Sequence, residues 1–528
     1  MKKSSLSNTS PNSKLTKIIS VIVGVSGLFL TSLALFFNLS NGLNLTTLSL
    51  LSVVFCFCLL IILYPKLPFL KLLFQKPVTT KIFFSIICII GIILRLLPLL
   101  TNMQFSCESL LSDTGVHYYG AQEIVDGNLG PEITNYDKNF PYLPTYTFIL
   151  AFFQSIFHNI SISIVISNLF FDIISIICFF FILKKLKSRP KLGATIWILS
   201  PFSIVMCWLP LNIACVNMIL FSAILVFITL NQYLLSLKHP TSKKNICHLM
   251  LLSLFCGIMV FIGNALRPIF LVLIIAEIII LLFLGRKSFN KLSIPILSFI
   301  IIICSFGILS TLHNHLLNSW AGENITSHSG GWSFFIGSNY QTSGRWSPDD
   351  RDYAFSKEFL DQTKSRSNWH SSLFQEGLSR YVQMGPVGAI RHFTNKTGVI
   401  FASQGSSAYD LKNVFGYSED NTTYKIIKNG IAIYCFCLIA ICFLFFVRKI
   451  KKHYTFSHEE LFISLCFLGL TTSLLLVEVM NRYISILLVP MSLIACLFFF
   501  NQIKKASTLH HNKKNGRLEA SKLQGKIK

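Results

Sequence analysis

The sequence contains many uninterrupted apolar runs that are long enough to cross a bilayer as a helix. Residues 82–100 and 431–447 are two examples, and similar runs recur over most of the 528 residues. In hydrocarbon the backbone has to satisfy its hydrogen bonds within each segment, so these runs form helices. Strands of a membrane barrel would alternate in polarity, and no such segments occur. The sequence therefore predicts an all-α fold, a polytopic transmembrane helical bundle.

Thirteen runs are candidates for membrane spans. They are approximately residues 18–37, 48–64, 82–100, 142–157, 161–183, 193–209, 213–236, 247–264, 268–284, 292–310, 426–447, 460–477 and 483–500. An odd number of crossings cannot place both basic termini on one side. Segment 142–157 is short and begins "PYLPTYTF", which favours a re-entrant or interfacial helix. We therefore expect about 12–13 spans.

The positive charge of the chain follows the same pattern. The formal net charge is +24, from 46 Lys and Arg residues against 22 Asp and Glu residues. Basic patches lie between and after the apolar runs, for example at residues 66–81, 184–191, 238–244 and 448–452. This distribution fits the positive-inside tendency and contacts with anionic membrane lipid, so we predict no nucleic-acid partner.

The topology divides the chain into tails, membrane segments and external segments. We expect a cytoplasmic tail at 1–17, an additional N-terminal transmembrane hairpin at 18–81, a transmembrane core at 82–310 with an external loop at 101–141, a large external segment at 311–425, C-terminal transmembrane helices at 426–500 and a basic cytoplasmic tail at 501–528. Run 18–37 lacks a convincing cleavage site and reads as a retained anchor. The composition suggests a multi-pass protein of a bacterial plasma membrane.

External loop 101–141 is the most acidic stretch of the chain. It contains six carboxylates and only one lysine, Lys138. A helical periodicity begins at Asp113 in "LSDTGVHYYGAQEIVDGN". At a helix N-terminus Asp113 could be a cap. It could equally be a general base, or a carboxylate that holds a divalent metal ion. His117 lies one helical turn later on the same face, either as an assisting group or as a polar surface residue.

Two motifs resemble a known family. "SDTGVHYYGAQEIVDGN" followed by "PYLPTYTF" resembles the first external loop of the protein O-mannosyltransferase and aminoarabinose-transferase type, which are polytopic C-type glycosyltransferases that use polyprenyl-phosphate-sugar donors. Residues Ser329 to Ala354, "SGGWSFFIGSNYQTSGRWSPDDRDYA", are similar to an external loop of Gram-positive members. The resemblance starts at about residue 82. It implies that Asp113 is the catalytic carboxylate and that the anomeric carbon is inverted, although Thr114 stands where many relatives have a second acid.

A transferase of this type needs cations for the leaving polyprenyl phosphate. Arg267 and Arg482 lie at predicted external span ends, away from the cytoplasmic basic patches, and a planar guanidinium suits phosphate oxygens. Simple interfacial snorkelling is the alternative. Arg95 in the third span is a weaker candidate, which could snorkel outward.

The sugar and the acceptor need a binding surface in the large external segment. Trp332, Asn339, Arg345 and Trp346 offer ring faces and hydrogen bonds, although the tryptophans could instead form an interfacial belt. A metal cluster of His313, His315 and His328 is a weak alternative, because the spacing fits no ligand template.

Two acids in or near spans, Asp172 and Glu478, should face protein or water, in a structural or a functional role. The expected partners are a polyprenyl-phosphate sugar donor and a cell-envelope glycan, lipid or protein acceptor. A divalent metal is the only cofactor considered. The rival functions are a cell-surface polysaccharide polymerase and a transporter or flippase, and the latter would predict paired repeats that the sequence does not show.

Overall fold

The computed structural model is helical and contains no strand in the residues that it describes. These are 14–40, 77–103, 105, 107, 112–128, 130–237, 242–285, 293–401, 406–418, 420–453 and 455–499. Within these ranges nine helices are long and apolar enough to cross a membrane. The all-α bundle is thus confirmed, and the chain is a multi-pass membrane protein. The predicted span 48–64 lies outside the described residues, as does nearly all of both predicted tails.

The helices are numbered here in chain order. They are α1 (Lys14–Ser40), α2 (Pro77–Leu100), α3 (Asp113–Val125), α4 (Pro131–Asn139), α5 (Leu143–Phe157), α6 (Ile160–Lys185), α7 (Pro190–Ile198), α8 (Pro201–Met206), α9 (Ile213–Ser236), α10 (Lys243–Leu266), α11 (Leu271–Gly285), α12 (Ser293–Ala321), α13 (Gly331–Gly337), α14 (Pro348–Ala354), α15 (Lys357–Thr363), α16 (Arg366–Phe401), α17 (Ser406–Phe415), α18 (Thr422–Lys451), α19 (His458–Leu476) and α20 (Asn481–Phe499), which opens with a 3₁₀ turn.

The bundle has two chemically different ends. One, called the basic end here, carries Lys184 and Lys185 at the end of α6, Lys243 at the start of α10 and Arg448 and Lys449 at the end of α18. The opposite end, called the site end, is where α9 begins and α10 ends, and it holds the pocket lined by Asp113. This asymmetry matches the predicted positive-inside pattern.

Helix α5 does not carry the chain from one end to the other. It begins at Leu143, which lines the pocket at the site end. Two residues after its end the chain enters α6, which runs parallel to α9: Cys178 contacts Ser222 at 3.4 Å, and Gln232 of α9 donates to the carbonyl of Lys185 at 3.4 Å. Since α9 runs away from the site end, α6 does too. Helix α5 must therefore begin and end on the site side, which agrees with a re-entrant or interfacial helix.

The predicted span 193–209 is not a single helix. The segment contains two short helices, α7 and α8, which are separated between Ile198 and Pro201. Pro201 has no N–H to donate to the preceding turn, and the Ser200 hydroxyl accepts from the Ser203 amide at 3.2 Å and caps a new helix. The predicted span 268–284 is also shorter than expected, because α11 begins only at Leu271 and has 15 residues.

Arg95 does not snorkel to the surface, and that prediction is corrected. Its side chain is 1% exposed and its Nε lies 2.7 Å from Asp172 Oδ2. Arg95 also donates to Ser203 Oγ and to the Ile198 carbonyl, each at 2.9 Å, while Trp197 Nε1 donates to Asp172 Oδ1 at 2.9 Å. The two charges neutralise each other and their hydrogen bonds are satisfied inside the bundle, so Asp172 has a structural role.

Helix α1, predicted as part of an added hairpin, is packed into the bundle. The Asn38 amide donates to the carbonyl of Phe401, the last residue of α16, at 2.9 Å. Gly27 lies so close to α18 that a Cβ there would come within 2.4 Å of the Phe446 ring. This close approach requires glycine, so α1 is a structural part of the membrane domain.

Candidate functional site

A small pocket at the site end brings together four predicted site residues, one of which is His117. It is also lined by Asp113 from α3, Arg267 just after α10 and Arg482 at the start of α20. These residues are far apart in sequence, and each stands at the end of a helix. The pocket is therefore assembled by helix termini, where side chains can reach a common space without crossing the apolar interior.

Asp113 is the first residue of α3, but it does not cap the helix. Ser112 does so, because its hydroxyl accepts from the Gly115 amide at 3.1 Å. The Asp113 carboxylate is thereby free to turn toward the pocket, where it pairs with Arg482 and accepts from the Tyr136 hydroxyl at 3.3 Å. The cap interpretation is corrected, and the positive end of the helix dipole adds to the favourable field around the carboxylate.

Arg482 is held between two carboxylates. One guanidinium nitrogen contacts Asp113, and the other lies 3.1 Å from Oδ1 of Asp410. Asp410 belongs to α17, within the predicted external segment 311–425, and is 3% exposed. Burial raises the pKa of Asp410, and Arg482 opposes that rise. The sequence analysis missed Asp410, which is a single acid in the mixed-polarity segment "SSAYDLKNVF" and has no distinguishing local signal.

Arg267 is the arginine of the pocket whose charge is available to a ligand. Its guanidinium lies over the ring of Tyr483, 4.1 Å from the centroid, and its side chain is half-buried. Among the described residues, no carboxylate forms an ion pair with it. A cation–π contact is not a hydrogen bond, so it does not occupy the N–H donors of the guanidinium with an acceptor. The pocket thus contains one neutralised arginine and one that can still bind an anion.

Glu478 lies beside this pocket, between α19 and α20. Burial and the nearby Asp113 raise its pKa to about 7, against the opposing effect of Arg482, Arg267 and Lys396. Its backbone amide donates to the carbonyl of Ser333. Glu478 therefore interacts electrostatically with the charged groups of the pocket, in agreement with the prediction that it faces protein or water.

His117 is an interior residue, which corrects the polar-surface interpretation. It is 1% exposed, and its Nδ1 lies 2.8 Å from Oγ1 of Thr147 in α5. Burial lowers the pKa of His117 to about 4. The imidazole is therefore neutral at pH 7 and joins α3 to α5, with one edge on the pocket.

Trp332 is packed inside a small core, separate from the main core of the bundle, and not on an open surface. It is 4% exposed and stacks on Trp369 with a centroid distance of 5.7 Å. This core also contains Phe335 and Leu373, so that α13 and α16 are joined by their aromatic faces. Its burial leaves no ring face for a sugar, and the interfacial-belt alternative does not fit either.

The other predicted sugar-binding residues divide into two kinds. The hydrogen-bonding groups of the Asn339 side chain are occupied by nearby residues. Its amide donates to Asp350 Oδ2 at 2.6 Å, and its Oδ1 accepts from the backbone amides of Gln341 and Thr342. Arg345 and Trp346 are exposed. The structure therefore does not bring Asn339 to the Asp113 pocket.

The external segment is joined to the site by an extended stretch after α19. The Val479 amide donates to the Gly344 carbonyl at 2.8 Å. The buried Lys396 ammonium donates to the carbonyls of Gly337 and Val477, each at 2.7 Å. Burial lowers the pKa of Lys396 to about 7. The sequence analysis missed Lys396, since nothing in the sequence indicates that it is enclosed.

The proposed role of Asp113 as a metal ligand stays a prediction. The direct contacts of its carboxylate are a guanidinium and a phenol hydroxyl that donates to it, and neither is a carboxylate or carbonyl oxygen of the kind that binds Mg²⁺ or Ca²⁺. His313 instead lies 3.3 Å from Oγ1 of Thr145, and His315 is exposed. In the described part of the chain, no group of three His, Cys, Asp or Glu side chains is placed to hold a metal ion.

Comparison with family models and with curated proteins found no match for this chain. The chemistry of the pocket is accordingly argued from its own residues.

Proposed function

We propose that the chain is an integral-membrane glycosyltransferase, which moves a sugar from a polyprenyl-phosphate donor to a hydroxyl acceptor on the outer face of a bacterial plasma membrane. The observation that carries this proposal is the meeting of the Asp113 carboxylate with Arg267 and Arg482 in one pocket, at the end of the bundle opposite the basic end. The resemblance of the Asp113 loop to C-type glycosyltransferases supports the same reaction class.

The pocket has the two chemical groups that the transfer needs. The Asp113 carboxylate takes the proton of the acceptor hydroxyl while the acceptor oxygen attacks the anomeric carbon. The bond between that carbon and the phosphate oxygen breaks, its electron pair leaves with the polyprenyl phosphate, and the anomeric configuration inverts. The cationic side chains stabilise the negative charge on the departing phosphate.

The two arginines have different tasks in this proposal. Arg267 provides the first contact for the phosphate, because it has no ion-pair partner among the described residues. Arg482 is already paired, so its main task is to orient Asp113, with Asp410 as the second anchor. A bound phosphate can share the Arg482 donors that remain, since a guanidinium has five N–H groups.

Transfer from radiolabelled polyprenyl-phosphate sugars into membranes tests this function. Wild type, Asp113→Asn and Asp126→Asn are compared at equal protein abundance; Asp126 is an exposed carboxylate at the end of the same helix. We expect Asp113→Asn to lower transfer by about 100-fold or more, the usual effect of losing a general base, while Asp126→Asn retains it. Full activity in Asp113→Asn would exclude the proposed role.

The products separate this function from its rivals. Addition of single residues supports the proposed transferase, whereas growing chains would indicate a polymerase. Movement of a solute without any new covalent bond would indicate a transporter.

A further inference from the structure

A larger cavity lies next to the Asp113 pocket. Its volume is about 290 Å³, and it opens between α10 and α12 below the segment that leads into α5. Tyr142 lines both this cavity and the Asp113 pocket. A ligand in the larger cavity would therefore have one end beside the proposed reaction centre.

The cavity contains polar side chains that have no partner. Asn264, Ser310, Asn314 and Ser329 line it, and none of these side chains forms a hydrogen bond with any described residue. The Oδ1 atom of Asn264 is buried without a donor. A buried acceptor of this kind is costly unless a ligand or water supplies its hydrogen bond.

Ser310 differs in this respect from two neighbouring hydroxyls on the same helix. Thr311 donates to the Gly307 carbonyl and Ser305 donates to the Ile301 carbonyl, both at 2.8 Å. Hydroxyls in helices commonly make this local bond. Ser310 does not make it and remains free to bond a group in the cavity.

The rest of the lining gives the cavity its chemical preference. Its walls include the aromatic side chains of Tyr142, Phe261 and Phe306, and none of the lining residues is Lys, Arg, Asp or Glu. A phosphate would find no Lys or Arg here, only the His313 imidazole, whose Nε2 lies 3.3 Å from Thr145 Oγ1. A hydrocarbon tail would leave the amides and hydroxyls unpaired. A sugar ring meets both requirements, because its edges carry hydroxyls and its faces carry C–H groups. The volume is near the lower end for ligand pockets, of order 300 Å³.

We propose that this cavity binds a neutral sugar ring and directs it toward Asp113 past Tyr142. The inference rests on the proposed function, which it extends by assigning the sugar to a site separate from the charged pocket. The donor and the acceptor can both supply such a ring, and the binding experiment distinguishes them.

Ligand-observed NMR on the full-length protein in lipid nanodiscs gives a direct test, with a panel of methyl hexosides and methyl pentosides and the anionic methyl glucuronide as probes. Wild type is compared with Ser310→Trp, which fills the cavity, and with Leu312→Trp. Leu312 is 56% exposed on the outer side of α12, two residues away, and is the matched control. We expect saturation transfer to at least one neutral glycoside in wild type and Leu312→Trp, its loss in Ser310→Trp, and no transfer to the glucuronide.

A second variant removes polarity and keeps the volume. Asn264→Leu is expected to weaken binding of the neutral glycoside by about tenfold, the usual result of losing a hydrogen bond to a buried group. Equal binding in wild type and Ser310→Trp, or no binding of any neutral glycoside to wild type, would overturn the proposal.

Competition identifies the source of the ring. Displacement of the methyl glycoside by a short-chain prenyl-phosphate hexose assigns the cavity to the donor sugar, and simultaneous binding of both assigns it to the acceptor. Asp113→Asn should bind the glycoside as wild type does. Binding without any transfer would therefore refute the proposed function alone, and transfer without binding would refute the cavity alone.

Discussion

Arg482 forms an ion pair with Asp113, a residue 369 positions earlier in the chain. The pair joins the first turn of α3 to the first turn of α20, and the same guanidinium reaches Asp410 in the external segment. One side chain thus ties together three regions that have no sequence proximity. The geometry of the proposed base depends on this tie.

Replacing Arg482 should destabilise the protein as well as reduce transfer. Arg482→Gln leaves Asp410, which is 3% exposed, as a buried carboxylate without its cation. Loss of one partner of a buried pair costs about 3–5 kcal/mol, measurable by denaturant titration in mixed micelles. Arg482→Gln combined with Asp410→Asn should recover part of this loss. Failure of the double variant to recover any stability would show that the two side chains are not coupled.

The buried pair of Arg95 and Asp172 should be important for stability inside the membrane domain. Asp172→Asn leaves the Arg95 charge uncompensated at 1% exposure, at a cost of about 3–5 kcal/mol. Asp352→Asn provides the control: its pair with Arg351 is exposed, and such pairs contribute no more than about 1 kcal/mol. Thermal unfolding monitored by tryptophan fluorescence compares the two, and equal midpoints would contradict the prediction.

His117 should make stability depend on acid pH. Its pKa is lowered from 6.5 to about 4 in the fold, so the unfolded chain takes up the proton first as the pH falls. The stabilisation from neutral His117 is fully present above pH 6.5 and is lost as the pH falls through about 4, a change of about 3 kcal/mol. His117→Gln should flatten the profile of unfolding midpoint against pH in this window. The exposed His315→Gln should leave it unchanged, and an unaltered slope in His117→Gln would count against the burial argument.

Contact between α1 and α18 should not tolerate a side chain at Gly27. The Cβ of Gly27→Ala would lie 2.4 Å from the Phe446 ring, and forced overpacking costs about 1–3 kcal/mol. Gly307 in α12 has nothing within 4 Å of such an atom, so Gly307→Ala should be neutral or stabilise by up to about 1 kcal/mol through helix propensity. The fraction of each protein that remains folded in detergent, measured over time, reports both effects. If Gly27→Ala unfolds as slowly as wild type, α1 must shift to accommodate the methyl group.

The long helices could be predicted because each span carries its own apolar signal and forms its own hydrogen bonds. The break before Pro201 was missed because the flanking residues are apolar on both sides of it. Arg95 was placed at the surface because its partner, Asp172, lies 77 residues away. Trp332 looked available for the same reason: the ring that covers it, Trp369, comes from another helix.

The site was predicted only in part. Arg267 and Arg482 are identifiable as cations at span ends, and Asp113 as an acid at the start of a helical segment in a loop; both are local properties. Asp410 reaches the site only because the predicted external segment folds against it. Lys396 is enclosed only because distant backbone carbonyls surround it. Neither residue therefore has a signal in its local sequence. Sequence patterns reveal which residues are unusual, and the tertiary contacts decide which of them meet.

The extended stretch between α19 and α20 has a mechanical consequence. Helix α19 ends at Leu476, and before the chain reaches Arg482 the amides of Glu478 and Val479 are fastened to carbonyls of the external segment. A change in bilayer thickness acts on α19 directly. The position of Arg482 is fixed instead by the hydrogen bonds to the predicted external segment. Tilting of α19 in a thinner or thicker membrane should therefore be absorbed at Leu476. The hydrogen bonds to Ser333 and Gly344 should therefore limit how far movements of α19 reach the ion pair between Arg482 and Asp113.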